Sequence, residues 1–206
     1  MNSFDYTAAK YEQWFQKNHE LFKSELKAIQ DLIEEDLGEA LEIGVGTGVF
    51  AEALNIKEGI EPSKEMAKYA LARGIDVTIS GIEEFKTEKK YNSIFMITVD
   101  PFIKNLERVF KKIHNMLTNS GCIYLVILDR ETSLGKTYDK NKENDENYKY
   151  ANFHSFDEVK KMLSKQFNIE KIEQTIFKLD NQYQEPIDGH GEGIFCAIRA
   201  RRKKWK

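Results

Sequence analysis

Residues 40–48 read Ala-Leu-Glu-Ile-Gly-Val-Gly-Thr-Gly, and this segment constrains the fold more than any other part of the chain. An apolar run with an acidic residue leads into three alternating glycines, which predicts a buried strand, a tight turn and then a short helix over Val49–Leu54. Glycine reaches positive φ at little cost and lets a ligand approach the bare backbone. The segment therefore predicts a ligand-binding turn at the carboxyl end of a strand, where open α/β sheets keep their sites.

Three ligand classes use glycine-rich turns of this kind. A P-loop requires a lysine directly after its last glycine, and none follows Gly48. A dinucleotide fingerprint counted from Gly44 requires a third glycine at position 49, which is Val49. Glu42 also disfavours a pyrophosphate, because its carboxylate would repel the ligand's charge. S-adenosylmethionine carries no phosphate, and its ammonium and sulfonium are cationic, so the turn favours this ligand.

The next elements agree with that interpretation. Residues 56–61 predict a second short strand that ends in Glu61, at about the spacing at which a βαβ unit delivers an acid to a ribose hydroxyl pair. Pro62 ends that strand, and Ser63 is placed to cap a helix over residues 64–73. A strand over residues 77–80 then leads into the turn 81–83, which in this architecture lies against the adenine.

Strands alternate with helices along most of the chain, which predicts an α/β fold: a three-layer α/β/α Rossmann-like sheet, mostly parallel, with an antiparallel C-terminal strand. Two amphipathic helices, over residues 6–18 and 19–36, precede it and are expected to form an N-terminal helical cap (residues 1–36). The polar and aromatic segment 130–155 is expected to be a lid inserted into a single domain spanning residues 1–206. Ser155 and Glu158 predict a capping box after it.

The chain resembles the class I, Rossmann-like S-adenosylmethionine-dependent methyltransferases. The Glu-x-Gly-x-Gly-x-Gly turn matches the family's first motif, Glu61 matches the ribose acid, and residues 81–83 match the segment that borders the adenine. Residues 91–96 match the fourth strand, although the family usually has Asp where this chain has Asn92. Residues 119–121 stand where the family often has Pro-Gly-Gly. Residues 11–15 and 129–135 are similar to a small-molecule-type branch of microbial methyltransferases.

The motif match and this resemblance together imply the site residues. The expected cofactor-binding residues are Glu42, Gly44, Val45, Gly46, Gly48, Glu61, Pro62, Gly81, Ile82, Glu83 and Thr98. The expected substrate-binding residues are Tyr11, Trp14, Asp129 and Tyr150. Asp129 and His190 are candidate bases, with no catalytic base assigned, and no cysteine or histidine spacing indicates a metal site.

Each of these residues also has an ordinary structural alternative. Glu83 is equally compatible with the first turn of a helix, where an acid is favoured. Thr98 and the aromatic residues of the first helix could simply pack in the core. Asp100, which precedes a proline, is read first as a turn residue.

The formal net charge of −3 gives no basic face of the kind that a dedicated nucleic-acid binder shows. The basic segment Arg199–Lys206 is interpreted as a solvated tail in preference to an RNA-contacting arm. The sequence contains no apolar run long enough for a bilayer and no secretory signal, so we expect a cytoplasmic protein, monomeric or homodimeric. Cys122 and Cys196 are expected to be buried in strands as small hydrophobic residues.

The resulting prediction is an enzyme that transfers a methyl group from S-adenosylmethionine to a nitrogen or oxygen of a small-molecule acceptor by in-line displacement. Two alternatives stay open. A non-catalytic S-adenosylmethionine-binding adaptor is suggested by Asn92, and an RNA or protein methyltransferase is suggested by the basic segment at the C-terminus.

Overall fold

The computed structural model describes residues 8–145 and 148–204. Its centre is an eight-stranded sheet in the order β3-β2-β1-β4-β5-β8-β6-β7. The strands are β1 Ala40–Ile43, β2 Glu58–Ile60, β3 Asp76–Thr78, β4 Tyr91–Ile97, β5 Leu117–Leu128, β6 Phe167–Thr175, β7 Ile187–Asp188 and β8 Phe195–Arg202.

The first five strands are parallel and β8 is antiparallel to both of its neighbours, β5 and β6. In register, Glu42 of β1 lies between Gly59 of β2 and Phe95 of β4. The strand order reverses between β1 and β4, which is the switch point where open α/β sheets bind their ligands. The predicted mostly parallel sheet with an antiparallel C-terminal strand is confirmed.

Seven α-helices are described, and all of them pack against the two hydrophobic clusters that flank the sheet, α6 through its partly buried residues Leu134 and Tyr138. They are α1 Ala8–Lys17, α2 His19–Asp31, α3 Val49–Ala53, α4 Lys64–Ala72, α5 Leu106–Met116, α6 Ser133–Asn141 and α7 Phe156–Leu163. Helices α1 to α4 pack into one hydrophobic cluster and α5 with α7 into the other. This arrangement is the three-layer architecture that the sequence predicted.

The alternation of side chains along the strands divides the core between these two layers. On β5, Ile123, Leu125 and Ile127 belong to the α5–α7 cluster, whereas Tyr124 and Val126 belong to the opposite one. Leu41 and Ile43 of β1 likewise face α5, so Glu42 between them points toward the layer formed by α1 to α4. A carboxylate is thereby carried into a buried face.

The predicted helix starts are present. The Ser63 hydroxyl accepts a hydrogen bond from the backbone N–H of Met66 at 3.2 Å. Ser155 forms the full capping box at α7: its hydroxyl accepts from the N–H of Glu158, and its own N–H donates to the Glu158 carboxylate at 2.9 Å. Such caps satisfy backbone groups that a helix leaves unpaired, so the side chains at these positions fix where α4 and α7 begin.

Residues 199–202 of the basic C-terminal segment form part of the sheet and are not the solvated tail that the sequence suggested, and residues 205 and 206 lie outside the described residues. Strand β8 continues to Arg202, and Arg199 is only 3% exposed. Its guanidinium pairs with Glu34 at 2.5 Å and with Glu35 at 3.1 Å, and Arg201 pairs with Glu35 at 2.8 Å and with Glu170 at 2.6 Å. Helix α2 ends at Asp31 rather than at Asp36, which leaves the two glutamates in a loop that reaches these arginines.

Both cysteines are buried and free, Cys122 on β5 and Cys196 on β8, as predicted. The two-residue strand β7 has no counterpart in the sequence prediction, because a pair of bridge residues leaves no periodic pattern. No helix in the described part of the chain is long and apolar enough to cross a bilayer.

Gly48 shows that one glycine of the turn is required by packing. It has φ +84° and begins α3; a Cβ atom here would lie 2.5 Å from Cδ1 of Ile75 and 3.0 Å from the backbone of Ala70. Gly74 has a similar φ of +79°, but a Cβ atom there would meet nothing within 4 Å. The two positions therefore share a backbone conformation and differ in the space around it.

We predict that Gly48→Ala destabilises the protein more than Gly74→Ala. The free energy of unfolding of both variants should fall by about 1–2 kcal/mol, because alanine is held in the left-handed region of backbone conformation. Gly48→Ala should lose about a further 1–3 kcal/mol from overpacking against α4. Urea unfolding of the two variants measures the difference, and equal losses would contradict the packing explanation.

Candidate functional site

A cavity of about 890 Å³ opens at the carboxyl ends of the parallel strands. Its floor is the glycine turn after β1 together with the residues that follow β2 and β4. Its walls come from α1, α2, α6 and the segments before α7 and β8. The lining includes Tyr11, Trp14, Phe15, Glu25, Gly44, Gly46, Glu61, Pro62, Thr98, Phe102, Tyr138, Tyr148, Tyr150 and Asn152.

The glycine turn is held against β2 by backbone hydrogen bonds. The N–H groups of Gly44 and Val45 both donate to the carbonyl of Ile60, at 2.8 and 3.0 Å. A Cβ atom on Gly44 would lie 2.6 Å from Val99, whereas one on Gly46 would meet nothing closer than 3.9 Å. Gly46, at φ +55°, therefore presents open backbone to the cavity, where a ligand can approach closely.

Glu61 links the turn to the end of β2. One carboxylate oxygen accepts the N–H of Gly46 at 3.0 Å, and the other accepts the N–H of Ser63 at 2.8 Å. The side chain is 6% exposed and lines the cavity. The carboxylate thereby fixes the positions of the turn and of the start of α4 relative to the cavity.

Glu42 is a buried carboxylate with an unsatisfied oxygen. It is 2% exposed, and its Oε2 has no hydrogen-bond partner among the described residues. Burial first, and the charge of Glu61 second, raise the pKa of Glu42 well above its ordinary value. Its charge also acts on Tyr11, which lines the cavity. A buried acceptor without a donor is costly, so this position fits a ligand that brings a positive charge or a donor.

Thr98 lies in the cavity wall directly after β4. Its φ is +54°, and its N–H donates to the carbonyl of Val126 at 2.9 Å, which ties the strained residue to β5. Positive φ is unfavourable for a β-branched residue and persists only where the surrounding structure imposes it; such residues cluster at functional sites.

The structure places eight of the sixteen expected site residues in the lining of this cavity, and Glu42 is buried on β1 outside that lining. Gly44, Gly46, Glu61, Pro62 and Thr98 line it, and so do the aromatic residues Tyr11, Trp14 and Tyr150. Val45 packs against Gly59, where a Cβ atom would lie 2.7 Å from it, and Gly48 packs against α4. Val45 and Gly48 therefore support the turn by packing against β2 and α4, and they do not line the cavity.

The turn of residues 81–83 is not among the residues that line the cavity, and its expected contact with the adenine stays a prediction. Ile82 is buried in the cluster with α5, and Glu83 is exposed. The Lys112 ammonium of α5 donates to the carbonyl oxygens of Ile82 and Glu83, at 2.6 and 3.0 Å. The turn is thus fixed to α5, and its side chains do not reach the cavity.

The two candidate bases also lie outside the cavity lining. Asp129 is buried at the end of β5, where its Oδ1 accepts the N–H groups of Glu131 and Phe156, at 3.0 and 3.3 Å. His190 stacks on Phe156 with ring centroids 3.7 Å apart. Both residues contact Phe156 at the start of α7, and the acceptor-facing role of Asp129 and the base role of His190 stay predictions.

Glu25 of α2 is the main site residue that the sequence interpretation missed. It lines the cavity, and burial raises its pKa to about 8. A signal was present, because Glu25 falls at i+4 from Leu21 and i−4 from Ile29, both of which are buried. A charged residue within the apolar stripe of a helix lies on the side that faces the core, and this position indicates a candidate functional residue.

The segment expected to be a lid forms one wall of the cavity. The N–H of Asn152 donates to the carbonyl of Pro101 at 2.9 Å, and His154 pairs with Asp100 at 2.9 Å. Tyr148 stacks on Phe102 with a centroid separation of 6.3 Å. The wall is therefore attached to the turn after β4, on the rim of the site.

A search of protein-family models finds no match. An S-adenosylmethionine-dependent methyltransferase of Thermotoga maritima, described as a possible histamine N-methyltransferase, superposes with a TM-score of 0.91 at 36% identity over 98% of both chains. The chain belongs to the S-adenosylmethionine-dependent methyltransferases. An uncharacterised protein of Methanocaldococcus jannaschii is 41% identical over 206 residues, covering 98% of this chain and 100% of that protein.

A more distant relative of this methyltransferase is malonyl-[acyl-carrier protein] O-methyltransferase 2 of Ilyobacter polytropus, 26% identical over 156 residues, which cover 70% of this chain and 60% of that protein. The resemblance noted in the glycine turn is confirmed: the protein is an enzyme of the Rossmann-like methyltransferase fold, and S-adenosylmethionine is its cofactor.

We predict that Glu42→Gln stabilises the ligand-free methyltransferase in a pH-dependent manner. Because burial raises the native pKa of Glu42, wild-type stability is retained below the unfolded-state pKa and lost as the pH rises toward the native one. Glu42→Gln has no acid to ionise at this position, so its free energy of unfolding does not fall in this way. Its free energy of unfolding relative to wild type should therefore grow by up to about 1.4 kcal/mol per pH unit above about pH 4.5.

Urea unfolding at pH 5, 6 and 7 measures this advantage. Glu65→Gln on α4 is the control, because Glu65 is an exposed partner of Lys68 and its substitution should give a nearly constant difference. A Glu42→Gln advantage that does not change with pH would show that Glu42 is not a buried, unpaired acid.

Proposed function

We propose that this methyltransferase transfers the methyl group to a nitrogen or oxygen of a small molecule held in the same cavity as the cofactor. The observation that carries the proposal is the continuity of the cavity, which extends from Gly46 and Glu61 to the aromatic side chains of α1 and of residues 148–150. Its volume of about 890 Å³ is at the upper end of the roughly 300–1,000 Å³ of small-molecule sites. A nucleoside cofactor and a small acceptor can share it.

The residues of the floor fit S-adenosylmethionine part by part. Glu61 lines the cavity and is assigned to the two ribose hydroxyls. Glu42 is buried on the strand that leads into the turn, and its unsatisfied oxygen is assigned to the ammonium. Gly46 leaves room for the ligand beside the backbone. Thr98 borders the methionine portion. When bound, the cofactor supplies a methyl group already activated on a sulfonium.

The protein's contribution to the reaction is mainly positional. Holding donor and acceptor in near-attack geometry can supply about 7–11 kcal/mol. The sulfonium charge disperses in the transition state, so an acid beside the sulfur would stabilise the ground state and oppose the reaction. Assigning Glu42 and Glu61 to the ammonium and ribose ends avoids that cost. Tyr11, Trp14 and Tyr148 exclude water from the reacting groups.

The two alternatives to this function lose their main supports. Asn92, the departure that suggested an inactive adaptor, lies at the start of β4, where its side chain accepts the N–H of Glu39 at 3.1 Å. That is the end of the strand opposite the cavity. The arginines that suggested an RNA-contacting arm form ion pairs with Glu34, Glu35 and Glu170.

The names of the relatives are compatible with either a nitrogen or an oxygen as the methyl acceptor. The Thermotoga protein is named for a possible N-methylation of a small amine, and the Ilyobacter protein for O-methylation of a carrier-bound malonyl group. The scaffold is shared while the acceptor-facing side chains differ, so the acceptor has to be read from the walls of this cavity.

We predict that Gly46→Arg abolishes binding of S-adenosylhomocysteine, because the new side chain would fill the space beside the open backbone of the turn. Gly74→Arg is the matched control: it has the same positive φ strain but nothing near its Cβ position, so it should bind normally. Titration calorimetry measures both variants. Retained binding in Gly46→Arg would mean that the cofactor site is elsewhere.

We predict that wild-type enzyme releases S-adenosylhomocysteine when it is given a small-molecule extract of cells, and that Gly46→Arg does not. The purified RNA and protein fractions of the same cells should give no release above the solvent blank, because the acceptor must enter a cavity with aromatic walls. Release with a macromolecular fraction alone would contradict the small-molecule proposal.

A further inference from the structure

Glu25 places a carboxylate inside the acceptor side of the cavity. It lies in the middle of α2, within the stripe that contains the buried residues Leu21 and Ile29. Its side chain is partly buried and lines the cavity together with Tyr11, Tyr138 and Tyr148. A charged group at this position in a helix is expensive unless it has a function or a partner.

No partner for Glu25 is found within residues 8–145 and 148–204. No side chain or backbone group in these ranges donates a hydrogen bond to it or pairs with its charge, and burial is the sole cause of its raised pKa. Its charge contributes to the raised pKa of the Tyr11, Tyr138 and Tyr148 phenols, which line the same cavity. The carboxylate is therefore available to a ligand.

The charges of the cavity are arranged by depth. Glu25 and Glu61 are the less exposed acids of the lining, and Glu42 is buried on β1 just before the glycine turn, whereas Lys10, Lys104 and Asp145 line the cavity and are exposed. The cofactor accounts for Glu42 and Glu61 under the proposed function. Glu25 remains as the acid that faces the acceptor.

The aromatic residues around Glu25 suit a cation as well. Tyr11 packs edge-on against Phe15 with centroids 5.0 Å apart, and Tyr138 packs against Tyr148 at 6.1 Å. Burial raises the pKa of Tyr148 and Tyr11 above the ordinary value, so both stay neutral phenols. Aromatic faces attract ammonium groups, and the attraction is strongest where water is excluded.

We infer that Glu25 is the acceptor-recognition residue and that it binds the nitrogen of a small organic amine, which makes this enzyme an N-methyltransferase. This inference rests on the proposed function, since it assigns the acceptor to the aromatic part of the cavity that the cofactor does not fill. The recognition chemistry is an ammonium–carboxylate hydrogen bond surrounded by aromatic rings.

The same contact serves the reaction. An amine arrives as an ammonium and must lose one proton before its lone pair can attack, and the Glu25 carboxylate can accept that proton. The nitrogen lone pair then forms the N–C bond to the methyl group, and the C–S bond breaks with its electron pair going to sulfur. The products are the methylated ammonium and neutral S-adenosylhomocysteine, with the first proton held on Glu25 until solvent takes it.

The test compares wild-type enzyme with Glu25→Gln and with Glu20→Gln. Glu20 lies on the same helix but in a surface pair with Lys23, so it controls for loss of a glutamate from α2. Each protein is saturated with S-adenosylhomocysteine and titrated with a panel of small amines, including 2-phenylethylamine and histamine, and with the alcohol of matching skeleton, 2-phenylethanol.

At least one amine of the panel should bind wild-type enzyme and Glu20→Gln with equal affinity. Its binding to Glu25→Gln should be weaker by about 10- to 100-fold, as expected for loss of a hydrogen bond between charged groups. Affinity for 2-phenylethanol should be lower than for the amine and should change by less than about threefold in Glu25→Gln, because an alcohol brings no charge. The affinity for S-adenosylhomocysteine itself should not change.

Glu25→Gln should also fold, with a melting temperature equal to or above that of wild type, because it removes an unpaired acid. A marked fall in melting temperature would show a structural role and overturn the inference. So would a loss of S-adenosylhomocysteine affinity as large as that of Glu42→Gln, because Glu25 would then belong to the cofactor site.

The failure of this inference is distinguishable from failure of the proposed function. If alcohols or other small molecules are methylated but no amine binds or reacts, the small-molecule function stands and the role of Glu25 falls. If S-adenosylhomocysteine binds while no small molecule is bound or methylated, both are overturned.

Discussion

The hydrogen bond from the Gly46 N–H to the Glu61 carboxylate holds the site together. It joins the turn after β1 to the end of β2, and the same carboxylate also accepts the N–H of Ser63, the residue that caps α4. One side chain thus fixes two strand ends and a helix start. A parallel sheet brings these ends to one edge, so a single well-placed acid can orient the whole floor of the cavity.

This arrangement has a stability cost that the ligands relieve. Glu42 and Glu25 are acids whose pKa burial raises, and neither is neutralised by a basic side chain of the described chain. A fold selected only for stability would replace them with apolar residues, because an unpaired buried charge is unfavourable. Their retention is understandable if cationic groups of the cofactor and of the acceptor complete the site, and functional sites are where such local conflicts are expected.

The buried charge on β8, on the same face of the sheet as Glu42, has ion-pair partners. Arg199 is as buried as Glu42, yet it pairs with Glu34 and Glu35 and ties the end of α2 to β8. That pairing positions α2, the helix that carries Glu25 into the cavity. The paired cation therefore supports the scaffold, while Glu42 and Glu25 have no basic partner among the described residues.

The sequence by itself determined the sheet, the turn and the acids at its edge. Positive φ at glycines, alternation along strands and the capping serine at residue 63 are local requirements, so the sequence alone predicts them. Tertiary structure alone decided which polar residues face the cavity. Asp129 accepts a hydrogen bond at the start of α7, and Glu25 lines the cavity. Which side chains line the cavity depends on how helices distant in sequence pack together, and spacing along the chain does not determine it.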